Sequence, residues 1–252
     1  MIVTVEAGRF CEVVPVDDPG VDLWSAELDL GEAEISELHA VLAGDEREKA
    51  GRFHFRKDRD RYVAARGILR HLLARHLAVS PGSIRFSYGP YGKPALAEPR
   101  DSGPLDFNVS HSSGLALFAL GRSPVGVDVE AVRELSDMLP IAERFFSHDE
   151  VRDLRATPAA QRASAFFRCW TAKEAYIKAR GEGLTMPLDR FAVSLLPIEG
   201  AVDLRVFDVS DESRSVRLTR FSPRAGYVAA LAVATGDPSS GSLRPPSGDR
   251  SR

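Results

Sequence analysis

The strongest constraint on the fold is an order of elements that runs twice along the chain. Val21 to Leu28 alternates loosely, as a half-buried strand does, and two stretches of helical spacing follow at about 31–43 and 59–78. Short strand-like runs then come at 84–88, 105–109 and 115–120. From Val125 the same order repeats: a strand at 125–130, helical stretches near 138–155 and 161–180, then strands near 190–195, 202–208, 215–221 and 226–234. Leu139-Pro140 opens the helical part of this half, and Gly181 and Gly183 close it. The fold class is therefore α/β (α+β), with two similar lobes, each strand–helices–strands. The expected division is an extension at 1–20 ending in the turn Asp17-Asp18-Pro19-Gly20, lobes at 21–123 and 124–235, and a Gly/Pro/Ser-rich disordered tail at 236–252.

Composition narrows the function. The 33 basic and 36 acidic residues leave a net charge of −3, which lends no support to nucleic-acid binding. No run approaches the ~20 apolar residues of a membrane span, and the start shows no secretory pattern. Two cysteines, Cys11 and Cys169, make neither a disulfide framework nor a zinc quartet, so a cytoplasmic protein is expected. Only five of the 33 basic residues are lysine: Lys49, Lys57, Lys93, Lys173 and Lys178. In a chain that otherwise uses arginine, each retained lysine raises the question of whether a compact, deprotonatable ammonium is needed.

Five segments have chemical potential. In Val125-Gly126-Val127-Asp128-Val129-Glu130 the valines face a core, and Asp128 and Glu130 project to one side. An isolated pair of this kind is usually a solvated strand end. As a site it would hold a hard cation, Mg²⁺ or Mn²⁺, because its ligands are all oxygen. In the helix at 161–180, Phe166, Cys169, Trp170 and Tyr176 form a buried stripe. Glu174 and Lys178, four apart, share another face as a surface salt bridge or as metal ligand, base and phosphate partner. Lys173 beside them is a further candidate ligand. Phe107-Asn108-Val109 ends a strand, and Ser110-His111-Ser112-Ser113-Gly114 reads as a turn that could bind phosphate oxygens. A serine hydrolase is a poor fit: G-x-S-x-G is missing, and adjacent Ser110 and His111 diverge if extended.

Lys93-Pro94, in a Gly-flanked turn, could pack against a purine. The stretch 45–62 carries seven basic and five acidic residues. It is a solvated helix surface by default and a polyphosphate site in the alternative, through Lys49, Arg52 and Arg61. In the helix that follows, Tyr62, Leu69, Leu72, Leu73 and His76 are expected to face inward, with Arg59, Arg66 and Arg70 on another face.

Taken together and in order, GKP, FNVSHS, VGVDVE and FFRCWTAKEAYIKARGEGL resemble the signature blocks of the Sfp-type 4′-phosphopantetheinyl transferases, over about residues 38 to 195. The resemblance implies two lobes related by a pseudo-twofold axis, a monomer, and coenzyme A in the cleft between the lobes. It implies Mg²⁺-dependent transfer of phosphopantetheine to a serine of an apo acyl or peptidyl carrier protein, with no role for nucleic acid or membrane. Asp128 and Glu130 match the first two metal carboxylates. Glu174 matches the third acid, as ligand, base or both, and Lys178 the lysine near the phosphates. Ser110 and His111 match the pair at the coenzyme A phosphates, and Lys93 and Pro94 the pair at the adenine. Lys49 and Arg61 match residues near the 3′-phosphate, and Glu46 stands where a family member has a further lysine. Two rivals fit less well. A non-catalytic coenzyme A binding module has no use for three acids, and an acetyltransferase would need a Gly-rich pyrophosphate loop.

Overall fold

The computed structural model describes residues 9–89, 92–97, 103–181, 186–207 and 215–235. In the first half, β1 (Glu12–Val13) and β2 (Val21–Glu27) lead into α1 (Glu32–Ala40), α2 (Gly44–Gly51) and α3 (Arg56–Leu77). A hairpin of β3 (Phe86–Tyr88) and β4 (Pro94–Leu96) follows, then β5 (Asp106–Ser112) and β6 (Leu115–Gly121). The second half runs β7 (Val125–Ala131), α4 (Met138–Phe145), α5 (His148–Ala156), α6 (Ala159–Arg180), β8 (Phe191–Val193), β9 (Gly200–Ala201), β10 (Leu204–Val206), β11 (Val216–Phe221) and β12 (Tyr227–Ala234). The two main sheets are antiparallel, in the orders β1-β2-β6-β5 and β7-β12-β11-β9. This is a mixed α+β, two-lobed fold.

Side-chain alternation sets the layers. Ala116, Phe118 and Leu120 of β6 pack with Leu38 of α1 and Val63, Ile68, Leu69 and Leu72 of α3. The opposite residues of β6, Leu115, Leu117 and Ala119, join Val125, Val127 and Val129 of β7 and Leu231 of β12 in a cluster between the sheets. Ala230 and Ala232 of β12 instead meet α6 through Phe166, Ala172 and Tyr176. Gly67 lets α1 close onto α3: a Cβ there would stand 2.7 Å from Leu38 Cβ.

The lobes are joined by side chains where backbone pairing stops. On one side β7 pairs with β12, leaving alternate N–H groups on its other edge. Buried edge donors need acceptors. Asp106 Oδ2, Asn108 Oδ1, Ser110 Oγ and Ser112 Oγ of β5 accept from the N–H groups of Val125, Val127, Val129 and Ala131, each nineteen residues further on. The constant offset means that β5 and β7 run alongside each other in parallel, with four side chains replacing one strand's carbonyls.

Several expectations change. The SHSS segment is strand rather than turn: β5 continues through Ser112, and the reversal falls at Ser113 (φ 56°) and Gly114. The reason is β6, which pairs with β5 up to Ser112↔Leu115. The charged stretch at 45–62 is helical, as expected: it holds α2, entered where Ala43 N–H donates to Glu46, and the start of α3. The stretch at 138–155 divides into two helices, because Ser147 caps α5 and Glu150 returns to accept from Ser147 N–H. His76 is exposed while Arg70 turns inward, where Glu46 and the carbonyls of Pro81 and Ile84 receive its guanidinium. Gly181 ends α6 at positive φ, as the sequence predicts. Gly183 and the segment 236–252 lie outside the described residues.

Candidate active site

The site forms where α6 crosses β7. Gly126 makes this possible: a Cβ there would lie 2.1 Å from Ala175 O and 2.4 Å from Ala179 N, so the helix rests directly on the strand. One strand repeat further, Asp128 meets Lys178, one helical turn after Glu174.

Asp128 is 5% exposed. Its Oδ1 accepts from Lys178 Nζ at 2.6 Å and from the Ser110 hydroxyl at 2.7 Å. Its Oδ2 is buried and has no hydrogen-bond partner. Glu130 Oε2 accepts from the Ser112 hydroxyl at 2.7 Å and lies 3.4 Å from Arg133 Nη1. Burial pushes the Glu174 carboxyl above the ordinary range; Lys178 opposes the shift, while Asp128 and Glu130 add to it. Glu174 thus lies within electrostatic reach of both β7 acids. Lys178 Nζ also donates to Val127 O and Ser110 Oγ, each at 3.3 Å.

A buried carboxylate oxygen without a donor, beside two further acids, fits a hard cation better than a fourth acid or an apolar contact. Among the described residues, however, no three acidic, His or Cys side chains already stand in ligating geometry. The Lys178 ammonium and the two serine hydroxyls hold the β7 acids instead. Lys178 supplies one positive charge, to Asp128.

The other candidates are distributed as follows. Ser110 is buried and turned to Asp128, whereas His111, the next residue along the strand, is exposed on the opposite side. Lys93 Nζ donates to Asp106 Oδ2 (3.0 Å), Val125 O (3.2 Å) and Lys178 O (3.1 Å), so it bridges the lobes and leaves its stem and Pro94 for any ring contact. Arg61 makes a bidentate pair with Asp29 at 2.6 and 2.7 Å, which raises its own pKa and lowers that of Asp29. That pair sits against Gly114, the turn after His111. Lys49 is exposed with its ammonium 5.4 Å from the Tyr62 ring centroid, and Arg52 is exposed and pairs with Glu48.

Lys173 is a correction. It is fully buried, and its Nζ bonds Glu150 Oε2 (2.8 Å), Leu188 O (2.8 Å) and Phe191 O (2.6 Å). An ammonium enclosed this way is a core group and cannot reach a ligand. Its position in α6, one residue before Glu174, turns it to the face that packs inward. Glu46 is likewise structural, buried under Arg66 and Arg70. Cys169 is in the core, as expected. Sequence reasoning missed Asp106 and Asn108, and it read Ser112 as a turn residue rather than a partner of Glu130. Their signal was the polar alternation Asp106, Asn108, Ser110, Ser112 against Phe107 and Val109.

The two halves of the chain each match one family. Residues 29–121 match the 4′-phosphopantetheinyl transferase N-terminal family, and residues 124–232 match the 4′-phosphopantetheinyl transferase superfamily. The chain belongs to the 4′-phosphopantetheinyl transferase superfamily and is a transferase. Among its relatives, 4′-phosphopantetheinyl transferase HetI of a Nostoc species is 42% identical over 182 residues, covering 72% of this chain and 76% of HetI. The Bacillus subtilis transferase Sfp is 31% identical over 208 residues, 82% of this chain and 89% of Sfp. The transferase psf-1 of Bacillus pumilus is 34% identical over 175 residues, 69% and 72% of the two chains. No helix among the described residues is long and apolar enough to cross a membrane.

Proposed function

We propose that this chain transfers the 4′-phosphopantetheine arm of coenzyme A to a serine of an apo acyl or peptidyl carrier protein, with Mg²⁺ (Mn²⁺ in its place), as a holo-carrier-protein synthase of the cytoplasm acting as a monomer of two lobes, 21–123 and 124–235. The observation that carries this reading is the donor-free, buried Oδ2 of Asp128, with Glu174 within electrostatic reach of both Asp128 and Glu130. The residues that would hold the metal are Asp128, Glu130 and Glu174. When bound, the metal neutralises charge on the diphosphate as the bond to the leaving group breaks.

In the reaction the carrier serine oxygen forms a bond to the pantetheine-side phosphorus. The bond from that phosphorus to the bridging oxygen breaks, and adenosine 3′,5′-bisphosphate leaves. The carrier serine is a weak nucleophile, and its proton goes to a carboxylate. Glu174 suits that task because burial raises its affinity for a proton. Lys178 offers a proton and positive charge to the leaving phosphate from beside Asp128. Ser110 and His111 are assigned to the coenzyme A phosphates, Lys93 and Pro94 to the adenine, Lys49 and Arg61 to the 3′-phosphate, the latter beside the turn that follows His111, and Arg52 to the phosphates more generally.

The test is intact mass of apo carriers incubated with the protein, coenzyme A and Mg²⁺. The wild-type protein adds one pantetheine arm. Asp128→Asn keeps the side chain's shape and removes its charge, so transfer falls by at least ~10²-fold while the melting transition persists. Near-normal transfer by Asp128→Asn at saturating Mg²⁺ refutes the metal assignment.

A further inference from the structure

The ladder between the lobes has two kinds of rung. Asp106 and Asn108 hold backbone N–H groups of β7 without touching its acids. Ser110 and Ser112 do both jobs. Each hydroxyl accepts from a β7 N–H (Val129 at 3.4 Å, Ala131 at 3.2 Å) and donates its one proton to the neighbouring carboxylate (Asp128 Oδ1, Glu130 Oε2, both 2.7 Å). A hydroxyl has one donor and two acceptor sites, so accepting from the backbone directs its proton to the acid. At Asp128 the result is that one oxygen is fixed and the other is left without a donor.

We propose that Ser112 is a positioning residue for Glu130: its hydroxyl, anchored by Ala131 N–H, orients that carboxylate for a divalent cation. The proposal rests on the metal reading above and adds a residue that does not itself meet the substrate. The argument has two steps. Glu130 is half-buried at the strand end, and a free glutamate there has several rotamers to lose on ligation. Its other side-chain partner among the described residues, Arg133, is more than half exposed and stands at 3.4 Å, too long for a strong charge-assisted bond. The short bond from buried Ser112 is therefore what selects one rotamer before the ion arrives. Residues that orient a ligating carboxylate typically alter metal affinity by about 10–100-fold when removed.

The experiment compares wild type, Ser112→Ala, Ser112→Thr and Asn108→Ala. Mn²⁺ affinity is measured directly by paramagnetic resonance titration without coenzyme A, and Mg²⁺ half-saturation is measured in the transfer assay. Ser112→Ala is expected to weaken Mn²⁺ binding and raise the Mg²⁺ half-saturation by about tenfold or more. Its kcat at saturating Mg²⁺ should fall much less. Ser112→Thr, which keeps the hydroxyl, is expected to recover affinity. Asn108→Ala breaks a rung without touching an acid, so it should lower Tm and leave Mn²⁺ affinity as in wild type. Wild-type affinity in Ser112→Ala overturns the proposal. Equal weakening in Asn108→Ala also overturns it, because lobe register and not this hydroxyl would then control the site. A wild-type protein that binds no Mn²⁺ brings down the metal reading itself.

Discussion

Replacing Gly126 by alanine tests the crossing of α6 over β7. In an open strand this change would stabilise the protein by ~0.4–1 kcal/mol, by restricting the unfolded chain. Here the added Cβ meets Ala175 O at 2.1 Å and Ala179 N at 2.4 Å, both backbone atoms of a helix that cannot rotate away singly. Restoring contacts of roughly 3.5 Å requires α6 to retreat from the strand by about an ångström. Overpacking of this sort costs about 1–3 kcal/mol, and two backbone clashes place it at the upper end. For a chain of this size that lowers Tm by roughly 6–12 °C. The functional loss should be larger than the stability loss suggests, because Glu174 and Lys178 travel with the helix while Asp128 and Glu130 stay with the strand. Misplacement by about 1 Å can cost on the order of 10²-fold in rate. Differential scanning fluorimetry and carrier-transfer kinetics measure both. Gly51→Ala is the control, since a Cβ there meets nothing within 4 Å beyond its own stretch of helix; it should hold or raise Tm with full activity. A Gly126→Ala protein as stable and active as wild type refutes the claim that direct helix-on-strand contact builds the site.

Lys173→Met should lose about 3–5 kcal/mol in a urea titration, because it leaves Glu150 charged, buried and without its ammonium. The double variant Lys173→Met, Glu150→Gln should recover part of that loss, since no unpaired charge remains; additive losses would contradict the pairing. His71 is expected to make the first lobe sensitive to acid. Its Nε2 is buried without a partner, and burial lowers its pKa below 6.5, with Glu37 opposing. Below pH 6.5 the unfolded chain then holds a proton that the fold refuses, so stability falls as pH drops through that value, by at most about 1.4 kcal/mol per pH unit. In His71→Phe that component should vanish, and an unchanged slope of Tm against pH between 7 and 5.5 would exclude His71 as its source.

The parts of the fold that were legible in sequence are those in which a period of 2 or 3.6 runs without interruption. Val125–Ala131 and Ala159–Arg180 announce themselves this way, and strand parity alone put Asp128 and Glu130 on one side. What stayed hidden depends on partners distant in sequence. Ser110-His111-Ser112 has turn-forming composition, yet pairing with β6 holds it extended, and only the parallel approach of β7 gives Ser112 an acid to orient. Helical spacing put Arg70 on a face other than the inward one, because nothing local says that Glu46, twenty-four positions earlier, is buried beneath it. The break between α4 and α5 was readable in principle from Ser147 and Glu150, a capping pair three residues apart.

Lysine scarcity was a sound clue with a wrong single meaning. Three of the five lysines share one geometry. Lys173 meets Glu150 and two carbonyls, Lys93 meets Asp106 and two carbonyls, and Lys178 meets Asp128, a carbonyl and the Ser110 hydroxyl. In each case a tetrahedral ammonium directs its three protons to acceptors that converge around it. A guanidinium cannot do this, since its five donors lie in one plane and address acceptors side by side. Arg70 and Arg220 show the contrast, with their planar groups reaching acceptors along separate edges. The chain thus keeps lysine where acceptors close in from several directions, and such cages serve as a core bolt at Lys173, a lobe bolt at Lys93 and a charged group of the site at Lys178. Among the three, Lys178 is the one whose cage contains a carboxylate oxygen beside a second oxygen of the same acid that is buried and without a hydrogen bond. The first two cages are closed by carbonyls that cannot move without unfolding a strand or a helix end. The third has only one such carbonyl, Val127 O, its other two walls being the Asp128 and Ser110 side chains, so its ammonium is the one with most freedom to shift when an anion or a cation enters.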